Sequence, residues 1–216
     1  MRFDLHALDA LEPGSDEADE AFDHYSRSLL EVFRASIEGK VLLETASGIG
    51  FWVRSFLDFG YNHEGMALPS MGRQQVEMVV SDYFPRKISL NSPEEADSAI
   101  PELIAFWEFL GREFGLQSAQ SVVVYLREVQ PSFRSWMLDP SKFGMAKSFF
   151  MAGQAAGFNM TDKSEMNAFA EVYNAANLRE GLEATGVSPG EARRERKKRA
   201  RSLRRKIKGA SRKRHK

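Results

Sequence analysis

Apolar residues recur every three or four positions along most of this chain, which is the period of an α-helix. In residues 15–39 this spacing places Phe22 and Phe33 on one face, behind a first turn rich in carboxylates that suit a helix N-terminus. Ser15 is a residue type that caps such a start, and Gly39 is the expected end. The pattern therefore predicts an amphipathic first helix between these two residues.

The same spacing predicts further helices, most of them short and closed by a glycine or a proline. Residues 61–70 are predicted as a loop, with Ser70 as the cap of the helix that follows. Pro85 and Pro131 are expected to end helices because proline lacks the N–H of a helical hydrogen bond. The expected segments are 49–59, 70–83, 101–114, 118–130, 132–138, 142–158 and 162–177.

The fold class predicted from this pattern is all-α, a compact bundle of seven or eight short helices. The apolar run Val122–Tyr125 would suit a β-strand on its own, but its neighbours favour a helix. The stripe of large apolar residues in 106–114 predicts a central helix buried on most sides, and the Met- and Phe-rich residues 145–166 are also expected to form core more than a docking face. No repeat of fixed length is visible.

The composition divides the chain into segments. Residues 1–14 form an N-terminal extension, for which docking on the body and fraying both remain open. Residues 15–178 form an acidic helical domain. Residues 179–190 lose the apolar period and gain glycine, serine and proline, which indicates a linker. Residues 191–216 form a basic tail.

The formal net charge of zero conceals a large asymmetry. Residues 190–216 carry 15 Lys/Arg and 2 Asp/Glu, a formal charge of +13. Residues 1–189 carry 15 Lys/Arg and 28 Asp/Glu, a formal charge of −13. The molecule is therefore an acidic body with a basic tail, and its bulk isoelectric point does not describe either part.

The tail is predicted to bind the phosphate backbone of RNA or DNA without sequence specificity. It is self-repelling and low in complexity, so we expect it to be disordered when free. Ala200, Leu203, Ile207 and Ala210 share one helical face, so a basic helix is expected on an anionic surface. Arginine, which grips phosphate bidentately, outnumbers lysine there, and no aromatic residue offers base stacking. The residues predicted to bind nucleic acid are Arg193, Arg194, Arg196, Lys197, Lys198, Arg199, Arg201, Arg204, Arg205, Lys206, Lys208, Arg212, Lys213 and Arg214.

A second hypothesis is a protein-interaction module whose basic tail covers its own acidic surface. A protein partner on the acidic body is also considered, and the sequence predicts no oligomeric state. An anionic membrane is a weaker candidate because Leu203 and Ile207 are the only sizeable apolar residues on the tail's helical face. The chain lacks an apolar run of about 18 residues and begins with an acidic segment, so we expect a cytoplasmic protein with no membrane span and no secretory signal.

Candidate chemistry in the body is sparse, and we expect a non-enzymatic protein without a cofactor or metal. His63–Glu64 is the best pair for acid–base work or ligation, but no second histidine lies at metal spacing, so a polar loop is favoured. Gly48–Ile49–Gly50 lacks the third glycine and the lysine of phosphate-binding loops, so a turn is favoured. The absence of cysteine excludes thiolate zinc sites and disulfides.

Asp82–Lys87 is predicted to turn the chain, with its aromatic pair anchored in the core. Arg86 and Lys87 would then pair with the end of a helix dipole or contact a phosphate, and the structural role is favoured. DYFPRKISLNSPEEADSAIPELIAFWEFLGREFGL, residues 82–116, resembles a helical segment of uncharacterised bacterial proteins, and GQAAGFNMTDKSEMNAFAEVYNA, residues 153–175, is similar to their closing part. The resemblance implies a shared helical body of unassigned function and transfers no catalytic residue.

Overall fold

A computed structural model describes residues 3–45 and 48–184 of the chain. These residues are mainly helical and contain no β-strand, which confirms the all-α class. Eight of the described α-helices are longer than a single turn, and only α5 has four residues. This number agrees with the seven or eight helices predicted from the sequence. The α-helices are α1 Asp16–Ala35, α2 Ile37–Thr45, α3 Phe51–Asp58, α4 Arg73–Met78, α5 Phe84–Lys87, α6 Ala99–Phe114, α7 Ala119–Leu138, α8 Met145–Ala155 and α9 Lys163–Ala184. Phe59–His63 and Val79–Tyr83 are π-helical turns, and Leu68–Ser70, Pro93–Ser98 and Pro140–Lys142 are 3₁₀ turns.

The chain divides into two compact units, Met1–Ser148 and Phe149–Lys216. The division falls inside the stretch 15–178 that the sequence pattern treats as one domain. Helix α9 continues to Ala184, which lies past its expected end near residue 177 and past the start of the predicted linker. The basic tail itself lies outside the described residues.

Helix α6 is the centre of the first unit, as its apolar stripe predicts. It packs against α7, α2 and α3. Phe106, Trp107 and Phe109 are at most 1% exposed, and burial of each such side chain contributes about 1.5–3 kcal/mol. The helix ends at Gly115, whose φ of 68° supplies the left-handed C-cap.

The start of α1 and the N-terminal extension follow from the sequence pattern. The Ser15 hydroxyl oxygen accepts a hydrogen bond from the Ala18 N–H at 3.2 Å, so Ser15 is the predicted cap. Leu5 and Leu8 of the extension are buried, and the Leu5 carbonyl accepts a hydrogen bond from the Tyr25 hydroxyl at 3.1 Å. The extension therefore docks on the first unit.

The predicted end of the first helix at Gly39 is wrong. Helix α1 ends at Ala35, and Gly39 lies buried inside α2. A Cβ added at Gly39 would overlap the Phe33 carbonyl oxygen, so this glycine lets α2 pack closely against the end of α1. The sequence pattern does not distinguish a glycine that permits close approach of two helices from one that ends a helix.

The predicted loop at 61–70 and the helix expected over 70–83 are also wrong in detail. The chain after α3 continues as the π-helical turn Phe59–His63, and Gly72, not Ser70, precedes α4. Pro85 does not end a helix at Tyr83. In the preceding π-helical turn the Phe84 N–H bonds to the Val79 carbonyl, so Pro85 falls in the first turn of α5, where a missing N–H costs little.

Pro131 lies inside α7, which runs unbroken where two helices were expected. Proline removes one hydrogen bond of the helix, which costs about 3 kcal/mol in an exposed position. Beyond it, Phe133 and Met137 are buried, and the Arg134 guanidinium contacts Glu94 and Asp97 at 3.1 and 2.6 Å. Packing of the second half therefore outweighs the cost of the proline.

In the second unit, described residues form the later part of α8 and α9. The rings of Phe149, Phe158 and Tyr173 surround Phe169 at centroid distances of 5.1–5.6 Å. The Asp162 carboxylate accepts hydrogen bonds from two amides of the first turn of α9, each at 2.9 Å, which confirms one of the two expected caps.

Candidate functional site

The fourteen tail residues predicted to bind nucleic acid, Arg193 to Arg214, lie outside the described residues. Their role stays a prediction. The conditional helix expected for the tail is likewise outside the described part of the chain.

The Gly48–Ile49–Gly50 turn precedes α3, and the anion at its amides is a carboxylate of the protein. Glu102 Oε1 accepts hydrogen bonds from the Gly50 N–H at 3.0 Å and the Val53 N–H at 2.8 Å. The carboxyl group is 2% exposed, and burial raises the pKa of Glu102, although the hydrogen bonds from α3 oppose the shift. The helix N-terminus is therefore occupied from within, which supports the interpretation as a turn.

Arg34 holds the same turn from the other side. Its Nη2 donates to the Ile49 carbonyl oxygen at 2.6 Å, and Gly50 has a φ of 115° that L side chains rarely adopt. A Cβ added at Gly50 would lie 2.7 Å from Arg34 Nη2. Close packing and backbone conformation both account for this glycine.

His63 and Glu64 do not form a pair with each other. The Glu64 carboxylate accepts a hydrogen bond from the Tyr83 hydroxyl, and that bond raises the pKa of Tyr83. His63 Nε2 lies 3.2 Å from the Lys87 ammonium nitrogen. Both side chains are therefore engaged with the predicted turn segment 82–87, and their bonds connect residues 63 and 64, at the end of the first π-helical turn, to Tyr83 and to Lys87 of α5.

Aromatic rings surround this contact. The ammonium of Lys87 lies 5.0 Å from the ring centroid of Tyr83 and 5.4 Å from that of Phe59. Phe59 is largely buried, whereas His63 and Lys87 are exposed. Lys87 is therefore held by cation–π contacts beside His63.

The segment after Pro85 is fixed by a second lysine. Lys147 is 1% exposed, and its ammonium donates to the carbonyl oxygens of Pro85 and Met137, each at 2.9 Å. It also lies 4.2 Å from the ring centroid of Phe143. Burial without a carboxylate partner lowers the pKa of Lys147 to about 8.

A cleft of about 480 Å³ opens beside this junction. The Gly144 N–H donates to the Arg86 carbonyl oxygen at 2.9 Å, which joins the segment before α8 to α5. The side chains of Arg86 and Lys142 line the cleft together with Asp82. The lining also includes Ser81, Ser141, Phe143, Gly144 and Met145.

The acidic surface is concentrated near the start of the first unit. Glu12, Asp16, Glu17, Asp19 and Glu20 are exposed, and none of them lies in an ion pair with another described residue. In contrast, the carboxylates of Glu108 and Glu128 contact arginines at 2.6 and 2.9 Å. The negative charge of the body is therefore neutralised unevenly.

Comparison with family models, with curated proteins and with solved structures found no match. The similarity to uncharacterised bacterial proteins stays a prediction. Among the described residues no three histidine, aspartate or glutamate side chains are grouped so as to hold a metal ion. None of the described helices is long and apolar enough to cross a membrane.

Sequence reasoning missed Glu102, Lys147 and the cleft beside Arg86. Glu102 and Lys147 are charged residues inside apolar stretches, and such residues are rarely buried unless they are paired. A charged residue inside an apolar stretch could therefore have indicated that both side chains are buried and hydrogen-bonded within the fold. The cleft has no local signal because it joins segments more than 50 residues apart.

Proposed function

We propose that this protein binds the phosphate backbone of RNA or DNA through its basic tail, without reading the base sequence. The observation that carries the proposal is the formal charge of +13 in residues 190–216 against −13 in residues 1–189. Each phosphate that a lysine or arginine neutralises releases a counterion, which favours association. A dense run of cations without aromatic residues suits backbone contact.

The ion pairs of the body support our assignment of nucleic-acid binding to the tail. In the described first unit, six arginines lie within 3.1 Å of a carboxylate, so most of the guanidinium charge there is already compensated. These arginines are Arg27, Arg54, Arg73, Arg112, Arg127 and Arg134. The unpaired carboxylates of α1 repel a polyanion. Binding therefore falls to the tail.

The experiment compares the full chain with a chain ending at Pro189, using fluorescently labelled duplex DNA and structured RNA at several salt concentrations. The full chain should bind with a logarithmic salt slope of about −0.9 per phosphate contact on duplex DNA, and the shortened chain should lose that binding. A variant with the tail residues in scrambled order should bind as the full chain does. Equal affinity of the full and shortened chains would refute the proposal.

The alternative hypothesis, a tail that covers the acidic surface, is distinguished by neutralising that surface. The variant Asp16→Asn, Glu17→Gln, Asp19→Asn and Glu20→Gln removes four unpaired carboxylates from α1. If the tail serves as an intramolecular cover, this variant should bind nucleic acid much more tightly than the unchanged chain at low salt, and scattering should show an expanded molecule. If the tail instead binds nucleic acid and does not cover α1, the affinities of the variant and the unchanged chain should differ little. The remaining difference comes from the weaker long-range repulsion between the variant and the polyanion.

A further inference from the structure

The cations of the first unit fall into two groups. Six arginines contact carboxylates, whereas the other described cations have no carboxylate within ion-pair distance. The cations of this second group are Arg34, Lys40, Arg86, Lys87, Lys142 and Lys147. Four of the six belong to residues 86–87 and 142–147, which lie together at the junction of α5 with the start of α8. Four cations without an ion-pair contact therefore lie close together on an acidic body, with Asp82 and Asp139 as the neighbouring carboxylates.

The backbone at this place is fixed before any ligand arrives. The Gly144 N–H bonds to the Arg86 carbonyl oxygen, and the Lys147 ammonium bonds to the Pro85 carbonyl oxygen, both at 2.9 Å. A Cβ added at Gly144 would lie 3.0 Å from the Arg86 carbonyl oxygen and 3.1 Å from Arg86 Cγ. The two walls of the cleft are thus in close contact, and binding would cost little ordering of the main chain.

We propose that the cleft lined by Arg86, Lys142 and Ser141 binds a phosphate group. Its volume of about 480 Å³ lies within the range of about 300–1,000 Å³ that small-ligand sites occupy. The Arg86 guanidinium can grip two phosphate oxygens at once, and the Lys142 ammonium supplies a second positive charge. The buried ammonium of Lys147 bonds to the carbonyl oxygen of Pro85, the residue before Arg86, and its field is less screened than that of a surface charge. This site is separate from the proposed tail contact.

Asp82 sets the strength and selectivity of the site. Its carboxylate lines the same cleft and forms no ion pair with Arg86 or Lys142. It therefore repels an anion and limits the affinity for a phosphate. With two charge-assisted contacts, the expected dissociation constant for a phosphate is roughly 10⁻⁵ to 10⁻² M.

The test is a titration of the ¹⁵N-labelled full chain with AMP, inorganic phosphate or a short oligonucleotide, followed through the amide signals of Gly144 and Met145, which line the cleft. Adenosine is the uncharged control. We expect AMP and phosphate to shift both signals saturably and adenosine to leave them unchanged. The affinities for AMP and for the oligonucleotide identify the source of the phosphate group. Tighter binding of AMP indicates a small molecule, and tighter binding of the oligonucleotide indicates the end of a strand.

Matched variants connect the shifts to the cleft. Arg86→Gln and Lys142→Gln should each weaken AMP binding about tenfold, because each removes roughly one charge-assisted contact. Asp82→Asn should strengthen it several-fold, and Lys40→Gln, which removes an exposed unpaired cation elsewhere, should leave it unchanged. Retained dispersion of the amide spectrum shows that each variant is folded.

Two results would overturn the proposal. The first is the absence of a saturable shift at Gly144 and Met145 in the unchanged chain. The second is an equal loss in Arg86→Gln and Lys40→Gln, which would show general charge attraction. A chain ending at Pro189 that loses nucleic-acid binding but keeps the AMP shift would support the cleft, whereas loss of both would assign the shift to the tail. Failure of tail binding to nucleic acid leaves the cleft result intact.

Discussion

Lys147 gives the sharpest test of the folded structure because its ammonium is buried without a counter-ion. It donates to two carbonyl oxygens and lies over the ring of Phe143. Burial lowers its pKa from 10.5 to about 8. Below about pH 8 the folded and unfolded states both bind the proton, so the penalty of burying the charge is fully present. Above it the folded state releases the proton first, and the free energy of unfolding rises with pH up to about 10.5.

The size of this effect follows from the two pKa values. Between pH 7 and pH 9.5 the gain in the free energy of unfolding from this one group is about 2 kcal/mol. Tyr25 has a pKa raised by burial and works in the opposite direction, but its ordinary value of 10.0 lies above this pH range. The pKa values of Tyr61, Tyr83 and Tyr125 are raised in the same direction, so the effect of Lys147 is taken as the difference from a Lys147 variant, in which the four tyrosines cancel.

The assay is urea denaturation at pH 7 and pH 9.5, followed by tryptophan fluorescence. All three tryptophans, Trp52, Trp107 and Trp136, lie in the first unit, which also contains Lys147. The unchanged chain should gain about 2 kcal/mol relative to Lys147→Met over this pH step. Lys40→Met, which removes an exposed lysine, should follow the unchanged chain. Parallel pH profiles of the unchanged chain and Lys147→Met would refute the reasoning.

Three further substitutions test the packing described above by urea denaturation at pH 7. Glu102→Ala leaves the two amides at the start of α3 without an acceptor and should cost about 2–4 kcal/mol, whereas Glu102→Gln keeps one acceptor oxygen and should cost less; equal losses would contradict the hydrogen-bond argument. Gly39→Ala drives a methyl group into the Phe33 carbonyl and should cost at least about 2 kcal/mol, while Gly48→Ala, with open space around it, should be nearly neutral. Pro131→Ala restores a helical N–H and should stabilise the chain by about 1–3 kcal/mol; unchanged stability would contradict the cost assigned to this proline.

The sequence pattern predicted the fold class and the buried faces because those depend on periodicity alone. The stripe at 106–114 identified the central helix, and Ser15 identified the start of α1 correctly. Both signals are local. A helix cap needs one side chain and an amide three residues away, and an apolar face needs only the helical period.

The helix ends were less predictable because glycine and proline have more than one use. Gly39 permits the close approach of two helices, which no local pattern distinguishes from a C-cap. Pro131 is tolerated because Phe133 and Met137 find partners in the core, and Pro85 because a π-helical turn precedes it. At Pro131 tertiary packing outweighed a helix propensity of about 3 kcal/mol, whereas at Pro85 the local backbone geometry makes the missing N–H inexpensive.

The stability of Lys147→Met at pH 7 separates two explanations for a buried, unpaired ammonium. Replacing a buried charge by an apolar residue of similar size is often neutral or stabilising, because the desolvation penalty disappears with the charge. If Lys147→Met is at least as stable as the unchanged chain at pH 7, the ammonium is not retained for stability. Its proximity to Arg86 then leaves its contribution to the positive field of the cleft as the remaining physical role, and the same variant should bind AMP more weakly. If Lys147→Met is instead much less stable, the two carbonyl hydrogen bonds are sufficient reason for the lysine, and only a weaker AMP affinity of the folded variant would assign its charge a second role at the cleft.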